Sequence, residues 1–224
     1  LSVFWFVLWV VFGAGKNNKR NIDNDLNWYG HRGLLNHAPE NTLQGFRAAL
    51  DLGLRSVEID VLRTKDRKIV CTHNFDLERE TDGSGYIDQK TLSELEPINA
   101  AANWPNVEEK IPTLESILIG LPEKSLVNIE IKTRKPIDWS TPVEVIKIIK
   151  KLKIQNDVII SSFNPIALRI VKSIDSSIET GLLFKDTKVV GLISFARPNY
   201  IHPRSDLVTA DLIQYAQRYK LGIN

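Results

Sequence analysis

Hydrophobic and polar positions alternate from Ser56 to Val61 in "SVEIDVL", residues 56–62: Val57, Ile59 and Val61 on one face, Glu58 and Asp60 on the other. Strand side chains alternate with period two, so both carboxylates share a face. The same pattern returns in "VNIEIK", where Glu130 and Lys132 lie opposite Ile129 and Ile131. Around these strands the apolar period shifts repeatedly between two and 3.6. "WYGH", "DVIISSF", "ETGLLF" and "NYIHP" read as strands, and "IVCTH" as a second extended arm after the "TKDRK" turn. "NTLQGFRAALDLG", "PTLESILIGL", "PVEVIKIIKKLK", "NPIALRIVKSI" and "TADLIQYAQRYKLG" read as helices, with a weak one near 187–195. In the first of these, Asn41 and Gln44 are spaced as a capping box, and Gly53 supplies the stop. In the last, Gly222 is read as the helix end. A long polar stretch containing "TDGSG" intervenes after the arm. Repeated β–α units of this length predict a parallel sheet with right-handed crossovers.

The first fifteen residues, "LSVFWFVLWVVFGAG", do not share this pattern. Their apolar run covers residues 1–12 and falls short of the roughly 17–25 residues of a membrane span. It reads as a hydrophobic anchor or as the remnant of a signal peptide with Gly13-Ala14-Gly15 near the cleavage site. Membrane association through residues 1–12 and export are therefore the two leading localisations, with a cytoplasmic protein as the alternative. Residues 16–27 make a polar linker, and the globular domain is expected over 28–224.

Composition narrows the picture in two places. Lys and Arg number 29 against 27 acidic residues, so no charge excess points to nucleic acid. The single cysteine, Cys71, excludes an internal disulfide and a cysteine-based zinc site, and its apolar neighbours mark it as a small core residue.

The candidate chemistry gathers at strand ends. His31 closes the first strand and His73 the arm. In a parallel β/α barrel the C-terminal strand ends form the active face, so Glu58, Asp60, Glu130, Lys132 and both histidines would converge on one mouth. Three carboxylates call for a cation, and all-oxygen donors favour a hard divalent ion, magnesium or calcium. The histidines remain for proton transfer near neutral pH. Each member has an ordinary reading alone, as a salt bridge, a loop cap or a satisfied core histidine. The coincidence of all of them at strand ends carries the inference.

In the order "GHRG", "APENTLQGF", "VEIDVLRTKDRKIVCTHN", "TDGSG", "IPTLES" and "NIEIK", the chain resembles the glycerophosphodiester phosphodiesterase family from about residue 29 to its end. The resemblance implies a TIM-type (β/α)8 barrel and hydrolysis of a small glycerophosphodiester, the deacylated form of a phospholipid, to an alcohol and glycerol 3-phosphate. By the same resemblance His31 and His73 are the acid–base pair, and Glu58, Asp60 and Glu130 the ligands of the divalent ion. Arg32 and Lys132 become the contacts to the substrate phosphate. The attacking group would be the glycerol 2-hydroxyl, forming a cyclic phosphate that water opens.

Two departures stand out: Arg67 occupies a turn position where the family usually has glycine, and Asn74 replaces the aspartate that commonly follows the second histidine. His37, Phe75, Trp104, Phe163 and His202 are candidates for shaping the mouth. Only six parallel strands are predicted, with "IN" at 223–224 opening a seventh, so the expected fold is a barrel truncated after about six strands. The alternatives are a related phospholipase that releases cyclic phosphate, and a non-catalytic barrel that binds anions.

Overall fold

The structure is a computed structural model that describes residues 28–224. The apolar run 1–15 and the linker 16–27, with the localisations they suggest, lie outside the described residues. Among the described residues no helix is long and apolar enough to cross a membrane.

The strands are β1 (Tyr29–His31), β2 (Ser56–Arg63), β3 (Ile69–Cys71), β4 (Leu126–Ile131), β5 (Val158–Ser162), β6 (Glu179–Phe184), β7 (Tyr200–Pro203) and β8 (Gly222–Ile223). They form one sheet in the order β1-β2-β4-β5-β6-β7-β8, all parallel, with β3 antiparallel on β2. Seven strands are thus parallel, six longer ones and the two-residue β8. The arm β3 is the predicted side branch of β2. The sheet curls: residues of β1, β4, β6 and β7 line one cavity of about 350 Å³. Its edge strands β1 and β8 are not paired with each other among the described residues, so the barrel is open on that side.

Burial follows the alternation. Val57, Ile59 and Val61 are fully buried and pack outward in one core with Phe46, Ala49, Ile129 and Ile146. Removing a side chain of this size from water contributes roughly 1.5–3 kcal/mol, and that asymmetry fixes which face of β2 turns inward. The helices at Leu43–Asp51, Ser140–Leu152 and Pro165–Ile174 supply the outer layer. Cys71 belongs to this core, and burial pushes its thiol far up, so it is an inert packing residue.

Three local readings change. The N-cap of the first helix is Thr42, whose side chain accepts from Gly45 N; Asn41 sits one residue earlier at φ +56°. The last helix ends at Tyr219 with Lys220 left-handed, which frees Gly222 to pair with Tyr200 as a strand residue. The polar stretch after β3 carries a small core of its own, Leu77, Ile87, Leu95 and Ile111 packed on Leu62 and Val70. Arg67 takes φ +65°, the left-handed turn conformation that glycine adopts without cost.

One glycine shapes the interior. A Cβ at Gly181 would stand 2.3 Å from His202 Nε2, so β6 must be bare there for the β7 imidazole to lie in the barrel. Burial lowers His202 to about 4, and it is neutral at pH 7.

Candidate active site

Strand pairing sets the site. In parallel register His31 lies beside Glu58, and Asp60 beside Glu130. Asp60 is fully buried and Glu58 nearly so. One oxygen from each of Glu58, Asp60 and Glu130 lies within 4.8 Å of the others.

Two cations meet these acids. Lys132 Nζ stands 3.3 Å from both Asp60 Oδ1 and Glu130 Oε1. Arg32 Nε lies 3.1 Å from Asp60 Oδ2, while Arg32 Nη1 donates to Glu40 Oε2 at 3.2 Å. Arg32 is itself left-handed, φ +56°, and this turn aims its backbone N–H at Glu58 Oε2, 3.1 Å away. Three carboxylates against two cations leave a net negative charge in a buried place. Burial, then Asp60 and Glu130, push Glu58 well above the usual carboxylate range. Burial also raises Glu130, against the pull of Lys132.

The donor set fits a divalent ion. Glu58 Oε1 is buried with no hydrogen-bond partner among the described residues, although a buried carboxylate oxygen normally has one. Oxygen ligands sit about 2.0–2.6 Å from magnesium or calcium, and three oxygens within the observed spread can share one ion.

The histidines border two cavities that share Glu130. His31 is exposed at the rim, with Nε2 3.9 Å from Glu58 Oε2, and lines the cavity of about 350 Å³ with Glu58, Glu130 and His202. His73 lines a second cavity of about 600 Å³ with Glu130, Lys132, Phe163 and Lys185. Glu130, Phe163 and Lys185 border both. Partial burial lowers both imidazoles; Arg32 adds to this at His31, and Lys132 and Arg32 at His73. Of the seven residues singled out in the sequence, His31, Glu58, Glu130, His73 and Lys132 line these two cavities, and Asp60 and Arg32 are tied to them through ion pairs. Of the aromatic and histidine candidates, Phe75, Phe163 and His202 line these cavities, whereas His37 and Trp104 line neither.

Asn41 is the residue that sequence reasoning misplaced. Its Oδ1 accepts from Asp60 N at 3.0 Å and its Nδ2 donates to Asp60 Oδ2 at 3.2 Å, a two-point clamp on the central acid. Asn41→Ala is expected to destabilise the fold by about 2–3 kcal/mol, since it strands a buried N–H and leaves alanine at positive φ. Denaturant titration beside Asn41→Gly, which relieves the backbone but not the lost clamp, separates the two causes.

The fold and site define an open parallel β/α barrel whose strand-end mouth joins a carboxylate cluster to two histidines. The sequence profile of the Glycerophosphoryl diester phosphodiesterase family matches residues 31–223. The chain belongs to that family. A glycerophosphodiester phosphodiesterase of Caldanaerobacter subterraneus subsp. tengcongensis is 37% identical over 158 residues, 69% of this chain and 65% of that protein. One from Bacillus subtilis is 26% identical over 214 residues, 88% of this chain and 72% of that protein. The chain thus spans just under two thirds of the first of these relatives. Among solved structures, an Oleispira antarctica phosphodiesterase in complex with the product sn-glycerol-3-phosphate superposes with a TM-score of 0.81 at 25% identity, covering 88% of this chain and 83% of that one. The Thermotoga maritima glycerophosphodiester phosphodiesterase superposes with a TM-score of 0.68 at 26% identity, covering 90% and 85%.

Proposed function

We propose that this chain is a divalent-metal-dependent phosphodiesterase that hydrolyses glycerophosphodiesters to an alcohol and sn-glycerol 3-phosphate. The observation that carries the reading is that His31 and His73 line two cavities that share Glu130 of one carboxylate cluster. Displacement at phosphorus needs a proton acceptor for the attacking oxygen and a proton donor for the leaving oxygen, roles that two imidazoles can fill. The names of the two relatives and the product held by the Oleispira enzyme support the same substrate class.

Glu58, Asp60 and Glu130 would hold the ion, magnesium or calcium. Bound there, it supplies charge neutralisation at the phosphate and polarisation of the attacking hydroxyl. Arg32 offers a planar donor fork and Lys132 a point charge to the non-bridging oxygens. One histidine takes the proton of the nucleophile while the other protonates the leaving oxygen. The two cavities would hold the two arms of the diester.

Product analysis tests the reading. With glycerophosphocholine and magnesium or calcium, phosphorus NMR should show sn-glycerol 3-phosphate accumulating. Accumulation of a 1,2-cyclic phosphate would instead assign a cyclising phospholipase-type enzyme, and no product from any glycerophosphodiester would favour an anion-binding barrel.

A further inference from the structure

Next to His73 runs a chain of hydrogen bonds that the chemistry above leaves unused. Asn74 Oδ1 lies 3.1 Å from His73 Nδ1, and Asn74 Nδ2 donates to Glu80 Oε1 at 2.5 Å. One oxygen of Glu80 lies within 4.8 Å of one of Glu40, and Glu40 accepts from Arg32. We propose that Glu80 is a positioning residue that acts through Asn74 to hold His73 in the tautomer with hydrogen on Nδ1 and the lone pair on Nε2.

The inference follows from what each atom is able to do. An asparagine amide has a donating end and an accepting end, and its neighbours decide which faces which. The Glu80 oxygen facing Asn74 accepts, so it draws the NH₂ group toward itself. Asn74 is left with only its carbonyl oxygen for His73, and a carbonyl oxygen requires a hydrogen on Nδ1. Nε2 then carries the lone pair, which is the state a proton acceptor needs.

The neighbouring Glu40 sets the pH range over which this arrangement holds. Burial, then the neighbouring Glu40 carboxyl, raises Glu80 to about 7. At pH 8, above that value, Glu80 is mostly a carboxylate, and the oxygen turned to Asn74 can only accept. Glu40, His73 and Glu80 also bring ligand atoms within 4.8 Å of one another, as a cation site would. Arg32 on Glu40 and the Asn74 amide between Glu80 and His73 already account for that grouping.

The exchange at position 74 thereby acquires a physical meaning. The family's aspartate would place a full charge directly on the imidazole; here the carboxylate stands one amide farther away, at Glu80. It sets the tautomer of His73 while raising its basicity less.

The role assigned to His73 rests on the proposed phosphodiesterase reading, but the tautomer itself is observable without turnover. In ¹⁵N NMR spectra of the full chain at pH 8, His73 should show a protonated Nδ1 in the parent protein and a shift toward protonated Nε2 in Glu80→Ala. With glycerophosphocholine, Glu80→Ala should lower kcat roughly tenfold or more with KM little changed, the scale on which a functional histidine feels the loss of its orienting partner. The double exchange Asn74→Asp with Glu80→Gln puts a carboxylate directly on Nδ1 and should restore most of the lost kcat, which a merely structural defect would not allow. An unchanged His73 tautomer in Glu80→Ala would overturn the proposal, as would unchanged kcat in an otherwise active enzyme. Absence of turnover in the parent protein would instead count against the phosphodiesterase reading, and the NMR result would still decide the tautomer.

Discussion

Glu58→Gln is expected to remove roughly three orders of magnitude of phosphodiesterase turnover and, at the same time, to stabilise the metal-free fold. The first effect follows from losing an anionic ligand: charge stabilisation by a bound ion amounts to several kcal/mol, and about 1.4 kcal/mol is tenfold in rate. The second follows from linkage. Burial, Asp60 and Glu130 hold Glu58 above its unfolded value, so ionising it at pH 7 works against the fold. Glutamine keeps the volume and drops the repulsion. Thermal melts should therefore show a higher Tm for the variant in chelator. They should also show a smaller rise on adding magnesium or calcium, where the parent gains about 2.7 kcal/mol at a hundredfold excess over Kd. A variant that melts lower in chelator and responds normally to the ion would contradict the ligand assignment.

His31→Ala and His73→Ala should each cost roughly two to four orders of magnitude in kcat, the usual scale for losing a general acid or base. Because the two act in one proton circuit, the double variant should be far less impaired than the product of the single losses. The stabilisation by divalent ion should persist in both single variants, since neither imidazole belongs to the carboxylate cluster. Loss of that response in His73→Ala would make His73 a ligand.

Much of this site is legible along the chain because a strand has only two faces. Glu58 with Asp60 and Glu130 with Lys132 announce an inward polar face between outward apolar ones, and His31 and His73 mark where strands end. The register that sets Asp60 beside Glu130 is not written locally, for pairing depends on residues about seventy positions apart. Asn41 was hidden by chemistry: asparagine and threonine both cap helices, and only the left-handed backbone at Asn41 moves the cap to Thr42 and turns the amide onto Asp60. The last strand was legible only as an opening at 223–224, one residue late. Two residues carry no period, and Gly222 imitates a helix stop while Lys220 does the capping. The satellite core around Leu77, Ile87 and Leu95 lacks periodicity because short turns and single-turn helices present its members one at a time. Glu80 gave no signal at all, since its importance lies in a side-chain contact six residues back.

The most direct measurement of the central claim is release of sn-glycerol 3-phosphate from glycerophosphocholine by chelator-treated protein as magnesium or calcium is returned. A carboxylate-held ion flanked by two histidines predicts no turnover in chelator and saturable recovery with added ion, a recovery that Glu58→Gln shows only weakly. Full release of glycerol 3-phosphate in excess chelator would contradict it.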